Sequence, residues 1–180
     1  MERFALEHSK LAYRADFVIY ALAVALIAYA LVVAGPRADW PVMATLVVLG
    51  LLGWSLLEYV AHRFVLHSVP PFSTWHMAHH KRPTALICTP TLLSGSLIAL
   101  LVFLPALLLS NLWRGSALTL GVLTGYLAYS CVHHAVHHWH GGGGWLRRRK
   151  HCHAMHHRSD DAGYYGVTTA FWDVVFHTLK

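Results

Sequence analysis

Four long apolar runs constrain the fold more than any other feature of this chain. They lie at about 17–34, 42–60, 91–110 and 116–138, and charged residues are almost absent from them. A hydrocarbon core of about 30 Å needs about 20 apolar residues in helical form. Inside it every backbone N–H and C=O must be bonded within the protein, which a helix achieves by itself and an open strand does not. The runs therefore predict an all-α integral membrane protein, a four-helix transmembrane bundle, as a single domain over 1–180. Composition agrees: 56% of the 180 residues are hydrophobic and 12% charged, too apolar for an ordinary water-soluble domain. Pro105 falls in the third run, where a membrane helix tolerates it as a kink. The fourth run stays apolar to about Ser130 and continues as helix through His138.

Four crossings sort the loops onto two sides. Of the 14 Lys and Arg residues, Arg37 and Arg114 lie in loops on one side, and the rest fall on the other with both termini. The excess of positive charge marks that second side as cytoplasmic. The net charge of +6 then points to anionic lipid headgroups rather than nucleic acid. "RRRK" at Arg147–Lys150 reads as a headgroup-facing patch, and "GGGG" at Gly141–Gly144 as a hinge after the fourth helix. Cys88, Cys131 and Cys152 form no CxxC pair and read as free thiols facing a reducing compartment. The first residues, "MERFALEHSKLAYRAD", do not resemble a cleavable signal peptide.

The histidines follow the charges. There are 16, and the pattern His-x-x-His-His occurs twice, as His76/His79/His80 and as His153/His156/His157. His62 and His67 follow the second run, and His133 and His137 end the fourth. All ten emerge on the cytoplasmic side, in segments 62–80 and 133–157, as a histidine-rich helical cap. Residues three and four apart share a helix face, so each repeat can aim its imidazoles one way. His62 and His67 are five apart, about 140° on an ideal helix, and would flank a site unless the helix distorts. Ten neutral nitrogen donors at one membrane face suit two transition-metal ions with positions left for exchangeable ligands. His134 and His138 form a second stripe, rotated about 100° from His133 and His137, and are candidates for a supporting layer. His8, His140, His151 and His177 read as non-ligands.

A zinc hydrolase needs fewer ligands and a general base. The Glu-x-x-His pairs of soluble di-iron bundles do not occur here. An all-histidine site beside a bilayer suggests iron, dioxygen and a lipid C–H bond.

The order of these motifs resembles the fatty acid hydroxylase superfamily. The matching stretches are "EYVAHRFVLH" (58–67), "HMAHHKRPTALICTPTLL" (76–93), "HHAVHH" (133–138) and "HAMHHRSDDAGYYGVTTAFWDVVFHT" (153–178). The first and last look most like the fatty acid 2-hydroxylase branch. The resemblance implies an integral membrane di-iron oxygenase whose metal ligands are the ten histidines named above. It implies two iron ions, which zinc can replace during preparation, with dioxygen as co-substrate and a membrane lipid as substrate. Many relatives carry a fused cytochrome b5 domain, for which this chain has no room. No cysteine cluster or GxGxxG fingerprint is present, so electrons are expected from a separate carrier, such as cytochrome b5 or ferredoxin with its reductase. Lys81, Arg82 and Arg147–Lys150 could dock an acidic carrier.

Glu58 and Asp173 lie in the matched motifs and, with Asp160 and Asp161, are expected to orient ligand imidazoles through their second nitrogen. Phe171, Trp172 and Phe176 are expected to pack the last helix against the bundle or the interface. Carotenoid ring hydroxylation and sterol or lipid desaturation share the same histidine motifs and stand as alternatives, as does a non-catalytic haem- or metal-binding protein. Oligomeric state is left open.

Overall fold

The structure, a computed structural model, describes residues 7–158 and 163–180. Arg3, Asp160 and Asp161 lie outside the described residues. Helices account for all regular structure among those described: α1 (Lys10–Ala34), α2 (Trp40–Val60), α3 (Phe72–Lys81), α4 (Thr91–Ile98), α5 (Leu104–Leu109), α6 (Leu112–His138), α7 (Gly144–Arg158) and α8 (Phe171–Val175). One isolated bridge joins Glu7 to Ile87. The four membrane-length helical segments are Lys10–Ala34, Arg37–Leu66, Thr91–Leu109 and Leu112–His138, with mean hydropathies of 2.7, 1.9, 2.5 and 1.3. This is a multi-pass membrane protein.

The chain forms two compact units. One comprises Arg14–Trp54 and Thr89–Leu127, and the other Met1–Tyr13, Ser55–Cys88 and Ala128–Lys180. The first unit is the transmembrane bundle. Its core has two clusters, one around Tyr20, Ile98, Val122 and Leu123, the other around Leu31, Met43, Ala117 and Leu120. Outside the core, Leu26, Leu101 and Leu108 are 66%, 70% and 75% exposed, a surface that water would penalise and lipid solvates.

Two α2/α6 glycines set how closely those helices approach. A Cβ at Gly50 would lie 3.0 Å from Val122 N, and one at Gly121 would lie 2.8 Å from Leu51 N. Small residues at such crossings let backbones pack where no hydrophobic drive exists between helices in lipid. Pro105 is accommodated by a π-helical segment at Ala99–Phe103. Its ring would clash with the carbonyl of Leu101 in a regular α-helix, and the wider turn falls at that position. An apolar cavity of about 400 Å³ opens between α1, α4 and α6, lined by Ile19, Ala23, Ile98, Phe103 and Leu123 with a few hydroxyls.

The second unit is the histidine-rich helical cap. Chain reversal from α6 to α7 uses Gly141 and Gly142 at φ 74° and 117°, backbone that side chains other than glycine rarely adopt. Lys150 Nζ donates to the carbonyls of Trp139 (2.5 Å) and Gly141 (2.8 Å), tying α7 to this turn. Of the expected basic patch, Arg147 and Arg148 are exposed while Arg149 is buried. Arg149, Cys152, His153 and His156 fall at i, i+3, i+4 and i+7, the inward stripe of α7. The three cysteines are free.

Candidate metal centre

Each segment of the cap brings its histidines inward by a local device. The backbone of α2 continues as a π-helix over Ala61–Leu66, with His67 at its C-cap. In a π-helix the hydrogen bond runs between residues five apart, so His62 and His67 turn toward one face, ring centroids 5.4 Å apart. This is the distortion their five-residue spacing required. Helix α3 carries His76, His79 and His80, the end of α6 carries His133 and His137, and α7 carries His153, His156 and His157.

The side chains converge as two groups. Donor nitrogens of His62, His67, His76, His80 and His156 lie within 4.8 Å of one another, as do those of His79, His133, His137 and His153. His157 adjoins the second group, its Nε2 3.1 Å from that of His153. The repeats do not each serve one group. His76 and His80 join the first group while His79 joins the second. In the other repeat, His156 joins the first and His153, with His157 beside it, the second. Helical geometry explains the exchange: i and i+4 are about 40° apart, whereas i+3 and i+4 are about 100° apart. His-x-x-His-His is thus a two-sided unit, and the expectation that each repeat aims one way is corrected.

The spacing within the groups fits metal ligation better than hydrogen bonding. His76 Nε2 lies 3.0 Å from His62 Nε2, 3.1 Å from His67 Nε2 and 3.0 Å from His80 Nε2. One imidazole nitrogen carries either one proton or one lone pair, so it cannot satisfy three such neighbours. A shared cation can. Nitrogens bound at about 2.0–2.1 Å and at right angles to each other lie about 3.0 Å apart. In the second group, His137 Nε2 is 3.1 Å from His79 Nε2 and 2.7 Å from His153 Nε2.

The protonation states agree. Burial, reinforced by neighbouring imidazoles, lowers His79 to about 3 and His80 to about 2. Burial lowers His156 to about 4 despite its bond to the Gly163 carbonyl. His76 and His153 are pushed down for the same reasons, burial first. These imidazoles are neutral near pH 7, with lone pairs available.

A loop outside the histidine motifs sets two of the tautomers. His62 Nδ1 bonds the carbonyl of Tyr165 (2.5 Å), and His156 Nδ1 bonds the carbonyl of Gly163 (2.8 Å). Facing a carbonyl, each Nδ1 must carry the proton, which leaves its Nε2 a lone pair. Loop 163–170 is held by the two carboxylates expected to touch the imidazoles. Asp173 accepts from Tyr165 N and Gly166 N, both at 2.8 Å. Glu58 accepts from Val167 N (2.7 Å), Thr168 N (2.8 Å) and Thr168 Oγ1 (2.6 Å). Asp173 therefore acts on His62 through the Tyr165–Gly166 peptide group, and Glu58 acts further out, by holding the same loop at Val167 and Thr168. A relay supports Asp173: Arg63 donates to Tyr59 Oη, and the Thr178 hydroxyl donates to Asp173. The Thr178 proton is thereby committed to Asp173, so Tyr59 donates to Thr178 at 3.1 Å.

The remaining candidates are placed elsewhere. His134 bonds Tyr13 Oη at 3.1 Å and stacks on His138, and neither joins a group. Phe176 stacks on the buried Tyr59, ring centroids 5.2 Å apart, and on Trp172, whose Nε1 donates to Ser55 Oγ, while Phe171 is 60% exposed. The carbonyls of Gly163 and Tyr165 were invisible to residue-type reasoning, because a backbone acceptor has no residue signature. The only sequence signal for them is the Gly- and Thr-rich stretch before Asp173.

A family described as fatty acid hydroxylase matches residues 47–178. This chain belongs to the fatty acid hydroxylase family. The match takes in every histidine of both groups. Among curated members, the chain is 35% identical over 152 residues to a dihydroceramide fatty acyl 2-hydroxylase of Arabidopsis thaliana, covering 78% of this chain and 62% of that one. It is 32% identical over 160 residues to human fatty acid 2-hydroxylase, covering 82% of this chain and 42% of that one. A solved hydroxylase structure, full-length scs7p with only its hydroxylase domain visible, superposes with a TM-score of 0.76 at 28% identity, over 93% of this chain and 66% of that one. This family member thus spans 62% of the plant relative's length and 42% of the human one's.

Proposed function

We propose that this protein hydroxylates a C–H bond of a lipid acyl chain, as its 2-hydroxylase relatives are named for doing. Overall, R–H, dioxygen, two electrons and two protons give R–OH and water. The observation that carries the reading is the convergence of histidine Nε2 atoms at ligand spacing in two adjoining groups. We assign the ten histidines as holding two iron ions: His62, His67, His76, His80 and His156 one, and His79, His133, His137, His153 and His157 the other. When bound, such an iron pair supplies the activation of dioxygen that C–H hydroxylation requires. The protein's own part is to keep the imidazoles neutral by burial, to set tautomers through loop 163–170, and to offer apolar surface to an acyl chain.

The positive charges support a cytoplasmic histidine side and cytoplasmic termini. On this reading, labelling in intact cells reaches Arg37→Cys but reaches Arg147→Cys only after permeabilisation. A separate electron carrier, such as cytochrome b5 or ferredoxin with its reductase, completes the cycle. Of the cations expected to dock it, Lys81, Arg147 and Arg148 are exposed, whereas Arg82 is paired with Glu7 at 2.8 Å and Lys150 is tied to the turn after α6.

Mass spectrometry of total lipids from cells expressing the chain, beside His153→Ala, tests the reading. A lipid one oxygen heavier, absent from the control, is expected, with fragmentation placing the hydroxyl. A lipid two hydrogens lighter would reassign the chain as a desaturase. Unchanged lipids from metal-loaded protein supplied with a carrier would favour a non-catalytic metal-binding role.

A further inference from the structure

The two groups differ in what stands behind their imidazoles. In the first, His62 and His156 each bond a backbone carbonyl through Nδ1, at 2.5 and 2.8 Å. Those carbonyls belong to a loop clamped by five hydrogen bonds to Glu58 and Asp173. In the second, the Nδ1 atoms of His79 and His153 are buried without a protein acceptor among the described residues. Donation from the far nitrogen fixes a ligand's tautomer and orientation and raises its basicity. Losing such a partner costs about 10- to 100-fold in metal affinity. His79 and His153 must also choose their tautomers without a protein partner to favour the ligating one. The donor sets differ in closeness as well: five nitrogens lie within 4.8 Å of one another in the first, whereas in the second four do and His157 stands beside them.

We propose that the two metal positions are unequal. Loop 163–170 locks the His62/His67/His76/His80/His156 position, and the His79/His133/His137/His153 position releases its ion first. Glu58 and Asp173 are positioning residues for the first position only, acting through the loop that presents the Tyr165 and Gly163 carbonyls. The proposal rests on the two-metal reading above. It implies a stable half-loaded protein carrying one ion.

The test is chelator titration of the full chain in detergent, loaded with cobalt(II), with bound metal counted by mass spectrometry and the ligand field followed by visible absorption. Two equivalents are expected to leave in two phases, separated by about 10- to 100-fold in chelator. His137→Ala should remove the early phase and keep the late one. Thr168→Val, which removes one hydroxyl bond to Glu58 while its two backbone bonds remain, should shift only the late phase to lower chelator, and Thr168→Ser should restore it. Asp173→Asn should shift that phase further. Two equivalents leaving together, or a Thr168→Val shift of both phases alike, would overturn the proposal while the two-metal reading stands. Uptake of a single equivalent by the wild-type protein would overturn both. None of these readouts depends on lipid turnover.

Discussion

At the scale of single residues, the donor types were legible and their partition was not. His-x-x-His-His announces ligands by spacing, but whether i+3 shares a partner with i+4 depends on what faces each side of the helix. Here His79 and His80 are neighbours in sequence and belong to different groups. His134 and His137 make the complementary point. They share a helix and a residue type, yet one bonds Tyr13 and the other joins the second histidine group. His137→Ala is therefore expected to abolish hydroxylated lipid and lower bound metal, whereas His134→Ala leaves both near wild type. Lipid mass spectrometry and metal analysis of the two variants check this, and equal losses would contradict the partition. The role of Glu58 and Asp173 was half legible. Their motifs mark them, but the loop that stands between the carboxylates and the imidazoles is visible only in three dimensions.

At the scale of elements, hydropathy located the four spans because lipid leaves the backbone little choice. The pattern could not show where the helical ladder changes type. The π-helix at Ala61–Leu66 is what lets residues five apart enter one histidine group, and its only sequence trace is the awkward spacing of His62 and His67. The second π-helix, at Ala99–Phe103, lies beside Pro105, a cause that was readable although its form was not. Helix packing is equally specific. The α2/α6 crossing at Gly50 and Gly121 has no room for a β-carbon. Gly121→Val is expected to cost about 1–3 kcal/mol through overpacking, read as a lower thermal midpoint in detergent, with Gly53→Ala, where space is open, as the silent control.

At the scale of the whole molecule, buried neutral imidazoles tie stability to pH. Outside the spans, burial lowers His67, His76, His79, His80, His153, His156 and His157 below their ordinary value. The unfolded chain takes up protons near pH 6.5, the folded one only toward about 4 at His156 and about 3 at His79. Between those limits the unfolded state binds more protons, so stability rises with pH and is lost as pH falls. Ligated metal steepens the same trend, because protons compete for the lone pairs. The thermal midpoint should therefore be level from about pH 8 to about pH 7 and fall progressively below about pH 6.5. A midpoint unchanged down to about pH 4.5 would mean that the imidazoles are not held neutral by burial.

By itself the sequence determined the solvent, the helical class, the four crossings and the inventory of donors. Each follows from a local quantity: apolar length, backbone hydrogen bonding, or the chemistry of one side chain. Only the tertiary structure decided which donors meet, because a helix face acquires meaning only from what packs against it. It alone decided that backbone carbonyls of one loop secure His62 and His156 while His79 and His153 find no protein acceptor among the described residues, since main-chain groups are the same at every position until the fold aims them.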